Sequence, residues 1–367
     1  MSCANTVVVF VTIKMDINKG KIRIKDIAER ANVSTGTVDR VLHNRGEVKE
    51  ETRKKVMDIV KEMEYTPNLL AKSLALKKTF RIAAVIPAIS ANNPYWEKPL
   101  EGIRKGAKEI SDYNTAVDIY TFNAGDEQSY KKVLQTVLKA QPEGVILNPV
   151  FKETSLEFTV SLDEANIPYV YIDVNLEKGN NLAYFGQNAK QSGKVAAKIM
   201  HRVLPEGSLI LVPKLTNHKV ISTHLQRREE GFVEYFDESD KKNCNFISVK
   251  IDLLEKNEPQ KTLQKVFADN PDIKAVFVPN SRVFRVAEFM RGQGREDLFL
   301  LGFDLINKNI KFLNEEVIDF LISQKPEEQG RNGVMALFEH LVMGKKMQPI
   351  NHSPIDIIVK ENIEYYK

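Results

Sequence analysis

Cysteine is nearly absent. Cys3 and Cys244 are the only two in 367 residues, and neither has a second Cys or a His at metal-ligand spacing, so neither a disulfide framework nor a Cys/His zinc site is indicated. So few thiols fit a reducing cytoplasm, which is the expected location. Long apolar runs are missing too. Thr6–Ile13 has an apolar core of about seven residues, where a membrane helix needs about twenty. It also lacks a basic segment before it and a small-residue cleavage site after it. Residues 1–20 are therefore expected to be a disordered leader or the product of an early start, with Met15 a second start. Glycine-rich phosphate loops, His-rich metal patterns and nucleophile elbows do not occur. An enzyme is not expected, nor a cofactor or a metal. Heptads and low-complexity tracts are lacking as well.

What is present is ordinary globular material, 43% apolar and 28% charged. The length exceeds what one hydrophobic core sustains, so two or more cores are expected. The formal charge of +4 is unevenly spread: between Lys21 and Lys78 there are fourteen Lys or Arg against nine Asp or Glu. A basic head on a neutral body points to a polyanionic partner.

From Ile22 to about Lys61 the apolar residues fall at helical spacing. Ile24, Ile27, Ala28 and Ala31 share one face, Val38, Val41 and Leu42 a second, and Val56, Ile59, Val60 and Met63 a third. After Arg81 the rhythm changes to short β-branched runs alternating with amphipathic stretches. The runs include 81–88, 117–122, 144–149, 168–173, 208–213, 274–280 and 297–304; Tyr130–Ala140, Ala189–Leu204 and Pro259–Ala268 read as helices. Such alternation means parallel sheets covered by helices on both faces. Ten or so strands are too many for one small sheet, so two similar lobes are expected, with ligands bound where strand carboxyl ends face a crevice.

The segment "IRIKDIAERANVSTGTVDRVLHNRG" (22–46) places two helices about the turn Ala31–Ser34. Asn32 tolerates the left-handed conformation of a tight turn, and Ser34 suits the N-cap of the second helix. That helix can enter a DNA major groove with its first turn. "IKDIAERANVSTGTVDRVL" followed by "ETRKKVMDIVKEMEYTPNLLAKSL" resembles the head of the lactose-repressor (LacI) family of bacterial transcription regulators. The resemblance implies that Thr35 and Gly36 occupy base-reading positions, that Arg40 reads a base further on, and that Thr37, Asn44 and Thr52 approach phosphates. Three positions depart from the family. Gly36 has no side chain to read with, Asp39 stands where a small Ser is usual, and Lys49 replaces the Ser cap of the third helix.

"PNLLAKSLALKK" is apolar beyond what a linker needs, yet too short for a helix stable alone in water. It resembles the family's hinge helix, two of which pair in the DNA minor groove. The resemblance implies that Leu74 wedges into a base step, that Ala71 packs nearby, and that Lys72, Lys77 and Lys78 neutralise phosphates.

The body, over roughly 81–340, resembles type I periplasmic sugar-binding proteins, ribose-binding proteins especially. By that resemblance Asn93 is a hydrogen-bonding residue and Tyr95 and Trp96 are aromatic walls. Asp173, Asn280, Asp304 and Gln324 stand at strand ends, where amides and carboxylates bind adjacent hydroxyls. Sugar binders usually have Arg where this chain has Val174 and Gln226, although Arg227 and Arg228 adjoin the latter; Arg282 suits an acidic or phosphorylated ligand. The expected fold is a small all-α helix-turn-helix head on an α/β two-lobed, periplasmic-binding-protein-like body of type I with Rossmann-like lobes. The expected boundaries are a helix-turn-helix domain at 21–65, a hinge and linker at 66–79, and the effector domain at 80–367. The expected function is a homodimeric repressor of transcription that binds double-stranded operator DNA. A sugar or sugar derivative between the lobes controls it, and no membrane partner is expected. The alternative is a sugar-binding transport receptor.

Overall fold

The computed structural model describes residues 22–42, 45–63, 65, 79–91, 93–216, 223–238, 244–253 and 258–366. The chain divides into two compact units between Ala75 and Leu76.

Among the described residues the first unit holds three helices, α1 (Ile24–Ala31), α2 (Thr35–Leu42) and α3 (Glu50–Glu62). Their apolar faces meet in a core of Ile27, Ala28, Ala31, Val38, Val41, Val56 and Ile59, as the helical spacing requires. At the start of α1 the Arg23 backbone N–H donates to the Asp26 carboxylate at 2.8 Å, which holds that carboxyl below its usual pKa. The helix ends at Asn32, in the left-handed conformation with φ 55° and ψ 50°. Ser34 Oγ then accepts the Thr37 N–H at 3.1 Å and caps α2. Lys49 makes no such bond at the start of α3. Glu50 and Glu51 in the first turn offset part of that loss through the helix dipole.

The second unit is built on two six-stranded sheets. The first contains β1 (Phe80–Pro87), β2 (Thr115–Phe122), β3 (Gly144–Leu147), β4 (Tyr169–Ile172), β5 (Ala183–Gly186) and β11 (Ile350–His352), in the order β11-β5-β4-β3-β1-β2. All its pairings are parallel. The second contains β6 (Leu209–Thr216), β7 (Asn245–Asp252), β8 (Ile273–Phe277), β9 (Phe299–Phe303), β10 (Phe320–Ser323) and β12 (Asp356–Ile358), in the order β12-β10-β9-β8-β6-β7. Only the β10/β12 pairing is antiparallel. The sheets correspond position for position, and each is buried on both faces. That is why a central strand such as β1 exposes only Arg81.

Helices α4 (Glu97–Ile110), α5 (Glu127–Ala140) and α6 (Lys152–Glu164) serve the first sheet. The others are α7 (Ala189–Val203), α8 (Thr223–Glu238), α9 (Glu258–Asp269), α10 (Val283–Gly292), α11 (Asn307–Asn314) and α12 (Pro326–Met343). Although α12 follows β10, its Val334 and Leu337 pack with Ile82, Ile146 and Ile172 of the first sheet. Conversely α7 follows β5, yet its Ala196, Ala197 and Met200 pack with Ile210 and Phe277 of the second. The chain therefore crosses between the lobes after Gly186, after Ser323 and between β11 and β12. Glycines let the flanking helices touch. A Cβ on Gly102 of α4 would sit 1.9 Å from the Glu327 carbonyl oxygen of α12, and one on Gly193 of α7 would sit 1.9 Å from that of Arg228 in α8.

The twelve strands among the described residues exceed the ten or so expected. β5, β7, β10, β11 and β12 were not among the named runs. No helix among the described residues is long and apolar enough to cross a membrane.

Candidate functional site

In both sheets the chain leaves a central strand and turns sharply into a cleft. After β3 and β8 it places Asn148 and Asn280; after β4 and β9 it places Asp173 and Asp304. Both aspartates adopt left-handed backbone, with φ 66° and 70°. Their N–H groups donate to Phe185 O and Ile322 O on the neighbouring strand, each at 3.0 Å. A side chain in this conformation costs about 1–2 kcal/mol per residue and persists where the surroundings enforce it, as at ligand sites. Around these residues lies a cavity of about 730 Å³, counting the solvent at its mouth.

The first lobe supplies aromatic surface and neutral donors. Tyr95 and Trp96, on the short 3-10 turn before α4, are buried edge to face with centroids 5.3 Å apart. Tyr95 Oη donates to Asp173 Oδ1 at 2.9 Å, and Asn148 Nδ2 donates to Asp173 Oδ2 at 3.3 Å. Burial raises the Asp173 pKa, opposed by the Tyr95 hydroxyl, the Arg228 charge and Asn148.

The second lobe supplies charge. Gln324 Nε2 donates to both oxygens of Asp304, at 2.9 and 3.1 Å, while its Oε1 accepts from Arg228 Nη2 at 2.9 Å. Arg228, 2% exposed, also donates to Pro279 O at 2.8 Å and stacks 3.8 Å above the Phe303 ring. Asn280 Nδ2 donates to Leu215 O at 2.7 Å, and its Oδ1 accepts the Arg282 N–H at 3.0 Å. Burial pushes Asp304 up to about 7, against the pull of Arg228 and Gln324. Burial, Arg228 and Arg282 hold His224 down at about 3, so it is neutral at pH 7.

Of the expected ligand residues, Asn93, Tyr95, Trp96, Asp173, Arg228, Asn280, Asp304 and Gln324 all line this cavity. Gln226 does not. It is exposed, because two residues along a helix is about 200° of rotation and carries it to the face opposite Arg228. Gln226 thus lies outside the lining, and the neighbouring Arg228 lies within it. Asn148 and His224 also line the cavity and were missed. Asn148 had a signal: "ILNP" after β3 mirrors "FVPN" after β8.

In the first unit, Thr35, Gly36 and Arg40 are exposed on α2 and Thr52 is half-buried on α3. Thr37 is half-buried, its hydroxyl 2.9 Å from Ser34 Oγ. A Cβ on Gly36 would find only Ser34 Oγ, at 3.7 Å, so packing does not require glycine there. Asn44, Ala71, Lys72, Leu74, Lys77 and Lys78 lie outside the described residues, and with them the hinge helix.

Comparison with known proteins matches both parts. Residues 82–346 match the family described as periplasmic binding protein domain, and residues 23–68 match bacterial regulatory proteins, lacI family. A protein from Bacteroides fragilis assigned to the LacI transcriptional regulators is 33% identical, with a TM-score of 0.72 over 79% of this chain and 100% of that one. The ribose operon repressor of Halalkalibacterium halodurans is 28% identical over 77% of this chain and 80% of its own. A glucose-galactose binding protein from Geobacillus stearothermophilus shares the fold at 19% identity, with a TM-score of 0.67 over 78% of this chain and 99% of its own. The two cores, the helix-turn-helix and the cleft between paired sheets therefore belong to one kind of molecule: the chain is a member of the lacI family of bacterial regulatory proteins, a DNA-binding transcription regulator with a sugar-binding-type effector domain.

Proposed function

We propose that a small polyhydroxylated effector binds in the cavity between the two sheets and lowers the affinity of a homodimer for operator DNA, relieving repression. The observation that carries this reading is the paired set of amide and carboxylate, Asn148 with Asp173 and Asn280 with Asp304, at matching strand ends around one cavity. Planar amides and carboxylates can each bind adjacent hydroxyls, while Trp96 covers the C–H face of a ring. Binding, and not turnover, is the role assigned to these carboxylates.

On the DNA side, Thr35 and Arg40 read base edges and Ser34, Thr37, Asn44 and Thr52 hold the backbone, with Arg suited to guanine O6/N7. One helix-turn-helix reads a half-site, so a near-palindromic operator calls for two subunits. The segment about Ala71, Lys72 and Leu74, read from its sequence as a hinge helix, is assigned to the minor groove, paired with that of a second subunit. Closure of the lobes changes the spacing of two such helices, so ligand and operator disfavour each other by one coupling free energy, typically about 1–3 kcal/mol. Asp173→Ala tests the assignment: it should keep ligand-free operator binding and lose the response to effector. A variant that still responds would place the effector elsewhere.

A further inference from the structure

Both cavity arginines come from the second lobe, and among the described residues only one faces carboxylates. Arg228 lies in the field of Asp304 and Asp173. For Arg282 the charged neighbour is another cation, Arg285. Arg282 Nη1 donates to Leu215 O at 3.2 Å, while its Nε is buried with no partner among the described residues. Burial and Arg285 bring its pKa down to about 10, so it stays charged at pH 7. A buried charge is costly unless paired. Arg282 also stands at the N-cap of α10, where the helix dipole favours an anion.

We propose that the effector carries a carboxylate, as a uronic or aldonic acid does, and that the Arg282 guanidinium receives it. The proposal rests on the cavity being the effector site. Charge count selects a carboxylate over a phosphate ester. Asp173 and Asp304 already face Arg228, and neutral His224 adds no charge. With both aspartates ionised they offset Arg228 and Arg282, and with Asp304 raised to about 7 the lining carries up to one positive charge. A carboxylate therefore leaves it closer to neutral than a phosphate monoester near −2, which sets a larger surplus beside two aspartates. The guanidinium fork matches a carboxylate with two parallel N–H donors.

The chain's single tryptophan, Trp96, lines this cavity, so its fluorescence reports on the site alone. The full-length protein is titrated with D-galacturonate, D-glucuronate, D-galactonate, D-galactose, D-glucose and D-glucose 6-phosphate, following Trp96 emission and, in parallel, calorimetric heat. At least one of the acids should shift Trp96 at millimolar concentration or below, and its neutral counterpart should bind about 10–100-fold more weakly. Arg282→Met should remove that preference, bringing acid and neutral sugar to similar affinity, and Arg282→Lys should restore part of it. If Arg282→Met fails to fold, the loss of acid affinity in Arg282→Lys decides the question. Equal affinity for acid and neutral sugar, preference for the phosphate, no Trp96 response to any acid, or acid binding unchanged in both variants each overturns the proposal. Calorimetric binding with Trp96 silent puts the ligand outside the cavity and overturns the underlying reading instead.

Discussion

The two lobes share a strand order and diverge in chemistry. At matching positions stand Asn148 and Asn280, Asp173 and Asp304, and Gln187 and Gln324. The first lobe steadies its aspartate with neutral donors, Tyr95 and Asn148; the second uses an amide backed by a guanidinium, Gln324 and Arg228. The glutamines part furthest. Gln324 faces the cavity, whereas Gln187 donates to Ser323 O at 3.0 Å and Pro354 O at 3.1 Å, tying the crossover segments together. A shared backbone thus fixes where side chains emerge. Which lobe contributes apolar surface and which contributes charge is left to individual residues.

The difference is sharpest at Arg228. Replacing it by Met strands the Gln324 acceptor and removes the cation facing Asp304, which should cost about 3–5 kcal/mol in urea unfolding. Tyr95→Phe, which removes a neutral donor from Asp173, should cost about 1–3 kcal/mol. Equal losses would break the distinction between lobes.

The next effect is pH dependence. Asp304 is raised from 3.8 to about 7, so between those values the folded chain holds its proton more tightly than the unfolded chain. Stability therefore falls as pH rises through that window, with the cost absent below the lower value and complete above the upper. Asp304→Asn should be more stable than wild type by up to a few kcal/mol at pH 8, with little advantage at pH 4. Denaturant midpoints at the two pH values check this, and a gain independent of pH would contradict it.

Gly102→Ala and Gly193→Ala test the likeness of the lobes. Each drives a Cβ against a backbone carbonyl of the partner helix and should cost about 1–3 kcal/mol. A loss confined to one variant would show that the two crossings are not equivalent. The smallest effect is expected for Gln187→Ala, about 1 kcal/mol of stability with sugar affinity unchanged. Gln324→Ala should instead weaken sugar binding, as titration of Trp96 fluorescence would show.

Much of this was legible in the sequence. The helix-turn-helix could be read because Asn32, Ser34 and the apolar spacing of three helices agree. The central strands could be read because burial on both faces makes them continuous apolar runs. β7, β11 and β12 escaped for the converse reason, although the edge strand β2 was read. β11 and β12 have three residues each, and β7 carries Lys250 and other exposed positions on an edge. Asp173 and Asp304 were legible as cavity-lining residues because each follows a strong strand. Gln226 does not line the cavity because alignment to a pattern fixes a position in the chain, while helical rotation decides which neighbour faces the cavity. His224 could not be found, since only the fold brings it beside Arg228 and Arg282.

The central claim is that the cavity and the DNA-binding head are energetically coupled. It is tested most directly by titrating the full-length protein onto an operator selected from random duplex DNA, with and without the sugar or sugar acid that shifts Trp96 fluorescence. Operator affinity should fall about 5–150-fold at saturating ligand, and operator DNA should weaken ligand binding by the same factor. An unchanged operator affinity would contradict the coupling, and a tighter one would reverse its sign.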